Sequence, residues 1–366
     1  MHEDSEGFLY PVVKTEDCIN CGICERICPI LSQNSSRIPI KCFAAKGKDE
    51  EVVRKSSSAG IFSLLADYII KKGGVVFGAR FNQFWEVEHS YTETLEGISQ
   101  FRGSKYVQSK IGGSYQETEN YLKQGRTVLF TGTPCQIAGL KKYLRKEYDK
   151  LFAVDVVCHG TPSPMVLRSY LRNVLNLKPS TEILSEEEAT RISSFSFRDK
   201  HYSWERFCVK IDGLDEEGNN TVLVHNLYTQ DSFMQAFLHN YMLRPSCYNC
   251  PARKGKSESD LLIGDYWGIS RLYPDFFSSK GVSMVLAYSQ KGLALFDDLD
   301  LDKMEVPYES TKGNLPIESD VSKPKERAPF FNDFSNQGIQ AIYKYNRLFN
   351  PSIIKRAMKR FLRWFQ

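Results

Sequence analysis

Short apolar runs alternate with amphipathic stretches along this chain, and glycine, proline and small polar residues divide them. KCFAAKG from Lys41 and VVFGARF from Val75 read as strands. Between them IFSLLADYIIKKG, from Ile61, repeats its apolar positions at helical spacing until Gly73-Gly74. TVLFTGTPCQIAGLKKYL, from Thr127, gives a strand, a turn and a helix with Pro134 at its first position. LFAVDVVCHG, from Leu151, repeats the strand. Strand followed by helix predicts an α/β unit that binds ligands at the carboxyl ends of its strands. Beyond Thr161 the pattern becomes β-rich, with WERFCVKI, a hairpin-like turn from Gly213 to Asn220, TVLVHNLY and LLIGDYWGI.

The last sixteen residues, 351–366, form a different pattern. Ile353, Ile354, Ala357, Met358, Phe361, Leu362 and Phe365 share one helical face, and Lys355, Arg356, Lys359, Arg360 and Arg363 the other. Such a basic amphipathic helix suits peripheral contact with an anionic membrane, docking on a partner, or packing on its own domain. The expected organisation is 1–38, a partial ferredoxin-type module; 39–165, an α/β domain; 166–315, a β-rich domain; and 316–366, an extension. The fold class is α+β or α/β, a ferredoxin-like half-module followed by an α/β domain with a mixed sheet.

Composition changes this picture little. Hydrophobic residues make up 42% of the chain, enough for real cores, and 48 basic against 44 acidic residues argue against nucleic acid as a partner. No run reaches the about 18 apolar residues of a membrane span. Ten cysteines without an export signal suggest a reducing cytoplasm and metal binding.

The cysteines carry the chemistry. Asp17 to Pro29 reads DCINCGICERICP, with Cys18, Cys21, Cys24 and Cys28 in the C-x2-C-x2-C-x3-C-P run of bacterial ferredoxins. In a two-cluster module each run sends its fourth cysteine to the other cluster. Here one run is present, so the fourth ligand comes from a remote cysteine, from a partner chain, or from sequence before Met1. Cys135 lies in the first turn of a helix, where the dipole favours thiolate, and Cys158 ends a strand. Cys247 and Cys250 form a C-x2-C pair in CYNCP. Four cysteines from these segments suffice for a further 4Fe-4S cluster, with a redox dithiol or zinc as alternatives. Cys208, within a strand, reads as structural, and Cys42, at a strand start, as a small apolar residue or the missing fourth ligand.

Other residues are candidates to hold a cofactor. Ser57, Ser58 and Gly60 precede a helix and offer either an ordinary cap or a phosphate cradle. Lys105 and Tyr106, in GSKYVQS, suit contact with a phosphate or a flat ring. Thr131, Gly132 and Thr133 form the turn before Cys135, and His159 follows Cys158 as an orienting group or proton donor. Asp265 and Trp267 end a strand and could wall a cofactor or fill a tight turn. No residue is singled out as catalytic.

Together SSSAGIFS, GSKYVQS, VLFTGTPCQIAGLKKYL, VVCHGTPSP, FSFRDKHYSW, CYNCPARKG and LLIGDYWGI resemble the coenzyme F-420 hydrogenase/dehydrogenase beta-subunit family. They span about Lys41 to Ile269 in order. The resemblance implies FAD in the α/β domain, a 4Fe-4S cluster near it, and electron transfer to a redox partner protein or subunit, with a reduced deazaflavin or a nicotinamide as coenzyme. It allows a link to surface-polysaccharide biosynthesis. EDSEGFLYP resembles the segment between the two runs of a complete ferredoxin module. The expected function is therefore an FAD- and iron-sulfur-dependent oxidoreductase or its electron-transfer subunit. The alternative is a one-electron relay or scaffold without its own substrate.

Overall fold

The computed structural model describes residues 1–349, so the basic helix expected at 351–366 lies outside the described residues. Thirteen strands follow in chain order: β1 (His2–Glu3), β2 (Leu9–Tyr10), β3 (Lys41–Gly47), β4 (Val75–Phe81), β5 (Val87–Thr92), β6 (Val128–Gly132), β7 (Leu151–Val156), β8 (Ile192–Asp199), β9 (Cys208–Leu214), β10 (Asn220–Leu227), β11 (Leu261–Asp265), β12 (Ser283–Ala287) and β13 (Leu301–Glu305). Eight of them make one mixed sheet in the order β13-β3-β12-β11-β7-β6-β4-β5. Its centre is parallel, β11 on β7, β7 on β6 and β6 on β4, and its flanks are antiparallel. The mixed sheet and α/β character agree with the expected fold class.

Both faces of the sheet are covered, which is why its central strands are almost wholly apolar. Val76, Leu129, Val154 and Ile263 point to one side and pack with Ile61, Leu65 and Ile69 of helix Ile61–Lys71. Their neighbours Val75, Phe77, Val128, Phe130 and Leu151 point to the other, against Ile137, Leu140 and Leu144 of helix Pro134–Leu144. Alternation along each strand produces this division. Gly264 of β11 lies against Val157, whose Cγ2 would stand 2.4 Å from an added Cβ, so the glycine is sterically required.

The sheet takes strands from both sides of the expected boundary at 165/166. β3 lies between β12 and β13, residues some 240 positions apart in the chain. A second unit joins the antiparallel sheet β10-β9-β8 to helices Pro164–Val174, Ser232–Leu238, Arg327–Gln337 and Ile339–Phe349 around a separate core.

Residues 1–38 have no core of their own. They contain the β1/β2 hairpin, a short turn at Thr15–Asp17 and one turn of helix at Ile23–Arg26, while Val12, Val13, Ile19, Ile30, Leu31 and Ile38 are exposed. Phe8 is fully buried, but in the core of the second unit. Glu3 pairs with Arg168 and Glu6 with Arg327, which fastens the hairpin to two helices of that unit.

Candidate iron-sulfur and cofactor site

The carboxyl ends of the parallel strands β6, β7 and β11 lead to Cys135, Cys158 and Trp267 respectively. Cys135 begins helix Pro134–Leu144, which Thr133 caps. Cys158 lies two residues beyond β7, held by Val157 N–H on Ile263 O at 2.9 Å. Cys247 sits in the tight turn Pro245–Asn249, and its sulfur accepts the Thr161 N–H at 3.3 Å. Cys250 follows, its own N–H bonded to Asp320 at 3.1 Å.

Three distant segments thus bring four thiols into one patch, where each of Cys135, Cys158 and Cys247 feels the charge of its neighbours. All four are free thiols. Among the described residues, no three of these sulfurs lie within 4.8 Å of one another. A lone zinc with Zn–S bonds of about 2.3 Å would draw its sulfurs to about 3.8 Å. The Thr161 N–H on Cys247 is a donor of the kind that tunes an iron-sulfur cluster.

The helix-dipole expectation for Cys135 is corrected by this setting. The residue is exposed, yet the surrounding protein desolvates its sulfur and neighbouring thiols add repulsion, and the thiol is pushed up to about 12. Desolvation outweighs the Thr133 hydroxyl and the Arg244 charge, which both favour the thiolate. The same cause raises Cys158 well above the usual thiol range.

Cys18, Cys21 and Cys24 are exposed and Cys28 half-buried. The chain that follows them runs back along the C-x2-C segment. Arg37 donates to Gly255 O and Ser259 O at 2.8 and 2.9 Å, Asn34 to Lys256 O at 3.0 Å, and Lys142 reaches Ser32 at 3.2 Å.

A separate polar patch surrounds the loop before helix Ile61–Lys71. Ser57 Oγ accepts the Ser104 N–H at 2.7 Å, and Ser58 is joined to Ser283 at 2.9 Å. Gly60, at φ +86°, caps helix Ile61–Lys71 in a backbone conformation that favours glycine. Lys105 donates to Gln100 O and Arg102 O at 3.1 and 2.9 Å, and Lys200 to Val53 O, Ser58 O and Lys280 O at 2.6 to 2.9 Å. Among the described residues neither ammonium has a carboxylate within ion-pair distance, and burial pushes both down to about 7. Two desolvated cations flanking a serine loop fit a phosphate-bearing ligand.

Asp265 and Trp267 are placed differently. Asp265 is engaged on both oxygens, by Arg198 at 2.6 Å and by the Trp204 indole N–H at 2.7 Å. It positions Arg198 and Trp204. Trp267 stacks on Trp204, ring centres 5.1 Å apart, and is 37% exposed, so part of the ring remains open to a ligand. Tyr106 stacks on Phe237 at 5.0 Å and accepts from Arg198 at 3.3 Å. His159 meets the same Phe237 edge-on at 5.1 Å, which leaves one ring between the cysteine patch and Tyr106. His159 Nε2–H donates to Asn240 Oδ1 at 2.6 Å, a bond that orients the imidazole.

Four residues not marked in the sequence complete the site. Thr131 O can only accept, so His89 Nε2 carries the proton at 3.1 Å and Nδ1 accepts from Ser109 at 2.8 Å. Ser109 in turn accepts from Gln136 Nε2 at 2.7 Å, and Gln136 Oε1 accepts the Thr133 N–H at 3.0 Å. This neutral chain clamps the Thr131-Gly132-Thr133 turn from both ends. Burial holds the His89 imidazole down at about 4, so it stays uncharged. Asp155, beneath Cys158, accepts from Ser257 and Ser259 at 2.5 and 3.0 Å, and burial pushes it up to about 7. A capping-box spacing from Thr133 to Gln136 was a legible signal. A histidine inside a strand was not.

Comparison with known proteins gives the family. Residues 125–308, just over half of the chain, match the family model for the C terminus of the coenzyme F420 hydrogenase/dehydrogenase beta subunit. The F subunit of the F(420)H(2) dehydrogenase from Methanosarcina mazei is 29% identical over 124 residues, a stretch covering 32% of this chain and 34% of that protein. The F-420-reducing nickel-iron hydrogenase complex of Methanosarcina barkeri superposes with a TM-score of 0.47 at 18% identity, over 85% of this chain and 92% of that one. By the family match this chain belongs to the coenzyme F-420 hydrogenase/dehydrogenase beta-subunit family.

Proposed function

We propose that the chain is an oxidoreductase subunit that moves electrons between a flavin, iron-sulfur clusters and a partner. The observation that carries this reading is the convergence of Cys135, Cys158, Cys247 and Cys250 from three distant segments. The four thiols would hold a 4Fe-4S cluster. The Ser57-Ser58-Gly60 loop and Lys105 would hold the phosphates of FAD, with Lys200 adding its charge while its three N–H groups hold the loop's backbone, and Trp267 would face its ring system. Cys18, Cys21, Cys24 and Cys28 would serve a second cluster at the exposed end of the chain, where a partner has access. Bound flavin supplies the exchange between two-electron and one-electron chemistry.

The chain's own residues have separate tasks. Thr161 directs its N–H at Cys247 and sets the polarity around that sulfur. His89, Ser109 and Gln136 keep the turn before Cys135 in place without adding charge. His159, committed to Asn240, orients the segment after Cys158. Relatives whose names carry coenzyme F-420 make a reduced deazaflavin the first coenzyme to test, with a nicotinamide second and a polysaccharide-linked acceptor third.

Anaerobic purification with iron, acid-labile sulfide and flavin measured on one sample tests the proposal. The expected result is about one flavin and about four irons from the central site, or about eight with the second cluster filled. Cys250→Ser should lose the central cluster while Cys208→Ser, in β9, keeps it. Equal iron loss in both variants would remove the ligand assignment, and iron without flavin would favour the relay reading.

A further inference from the structure

A second cluster of metal-binding side chains lies away from the cysteines. Asp199 ends β8, His201 follows it by two residues, and His225 lies on β10, across the antiparallel sheet. One ligand atom from each lies within 4.8 Å of the other two. We propose that Asp199, His201 and His225 form a site for a divalent transition metal, best suited to zinc, which ties β8 to β10.

Distance separates this reading from a plain ion pair. His225 Nε2 stands 3.4 Å from Asp199 Oδ1, beyond the about 2.7–3.2 Å of a good N–H···O bond. Two ligands on one tetrahedral ion with bonds of about 2.1 Å would be about 3.4 Å apart. The His201 and His225 rings are edge to face, centroids 4.8 Å apart and 79° between planes, so two nitrogens approach from different directions. The backbone favours the same arrangement, because His201 N–H bonds to Asp199 Oδ1 at 3.2 Å and turns the chain back toward the carboxylate. Both histidines are exposed and Asp199 is half-buried, so an ion can enter from solvent.

The neighbouring charges do not block the site. Lys210 is directly opposite His225 on β9, but its ammonium pairs with Asp212 at 3.0 Å. Two imidazoles and a carboxylate prefer zinc or another borderline metal to calcium or magnesium, which take oxygen ligands. Three protein ligands leave one position for water or for a ligand from solution. Asp199 lies between Arg198, which grips Asp265, and Lys200, which holds Ser58 O. The metal would therefore brace the end of the strand that carries both cations.

The test uses the full untagged chain, purified anaerobically with its clusters, dialysed against zinc ions and then against buffer. Zinc X-ray absorption reports nitrogen and oxygen ligands separately from sulfur. About one zinc per chain with only nitrogen and oxygen ligands is expected, together with a higher melting temperature in zinc. His225→Ala and His201→Ala should each weaken zinc binding more than tenfold and abolish the zinc-dependent melting shift, while leaving the iron content and the melting temperature in chelator unchanged. Absence of retained zinc, zinc bound through sulfur, or equal zinc affinity in the histidine variants would overturn the proposal.

Discussion

Lys105 and Lys200 are the residues whose environment departs most from their usual chemistry. Each loses hydration and gains only carbonyl partners, which holds both near 7 against an ordinary 10.5. The folded state therefore binds these protons less tightly than the unfolded chain does. Stability of the cofactor-free protein rises with pH between about 7 and 10.5, because in that window the unfolded chain carries more protons. Lys105→Met should flatten this rise, read as a smaller difference between urea midpoints at about pH 7.5 and 9.5. An unchanged difference would mean that Lys105 is better solvated than its position suggests. Arg198 presents the opposite case, a buried cation with a half-buried carboxylate partner, Asp265. Arg198→Ala strands that carboxylate with one indole N–H, and a loss of about 3–5 kcal/mol is expected in denaturant titration. A loss under about 1 kcal/mol would show that water reaches Asp265 freely.

At the scale of elements, the hairpin β1/β2 fastens an otherwise coreless amino-terminal segment. Phe8 is its apolar anchor, and Glu3 and Glu6 are its ionic ones. A buried phenylalanine is worth about 3–5 kcal/mol against alanine, more than two partly exposed ion pairs supply. Phe8→Ala should release the segment that carries Cys18 to Cys28, seen as faster proteolysis within residues 1–38. Unaltered cleavage would show that contacts of residues 33–37 with 254–259 suffice. The cysteine run could be read directly because its four cysteines are three or four residues apart. Its lack of a core could not, since Ile19, Leu31 and Ile38 look like core residues until the chain around them is placed.

For the molecule as a whole, the position of β3 between β12 and β13 makes the first half of the chain depend on the second. A fragment of residues 39–165 alone should lack native circular dichroism and remain unfolded or aggregated, whereas a cooperatively melting fragment would contradict that dependence. The strands and helices of the sheet were legible from period alone. Alternation in VVFGARF and helical spacing in IFSLLADYIIKKG are local properties, so neighbouring residues suffice to read them. Cys18, Cys21, Cys24, Cys28 and the pair Cys247/Cys250 were marked as metal ligands for the same reason. Cys135 and Cys158 were joined to that pair from their places at strand ends, but only the tertiary structure decided that Asp265 is spent on Arg198 and Trp204 and that His89 locks the turn before Cys135. It also brought His225 to Asp199. Each of these depends on strand order and on which side chains exclude water. Both are set by packing between segments distant in the chain, and spacing along the sequence carries no record of them.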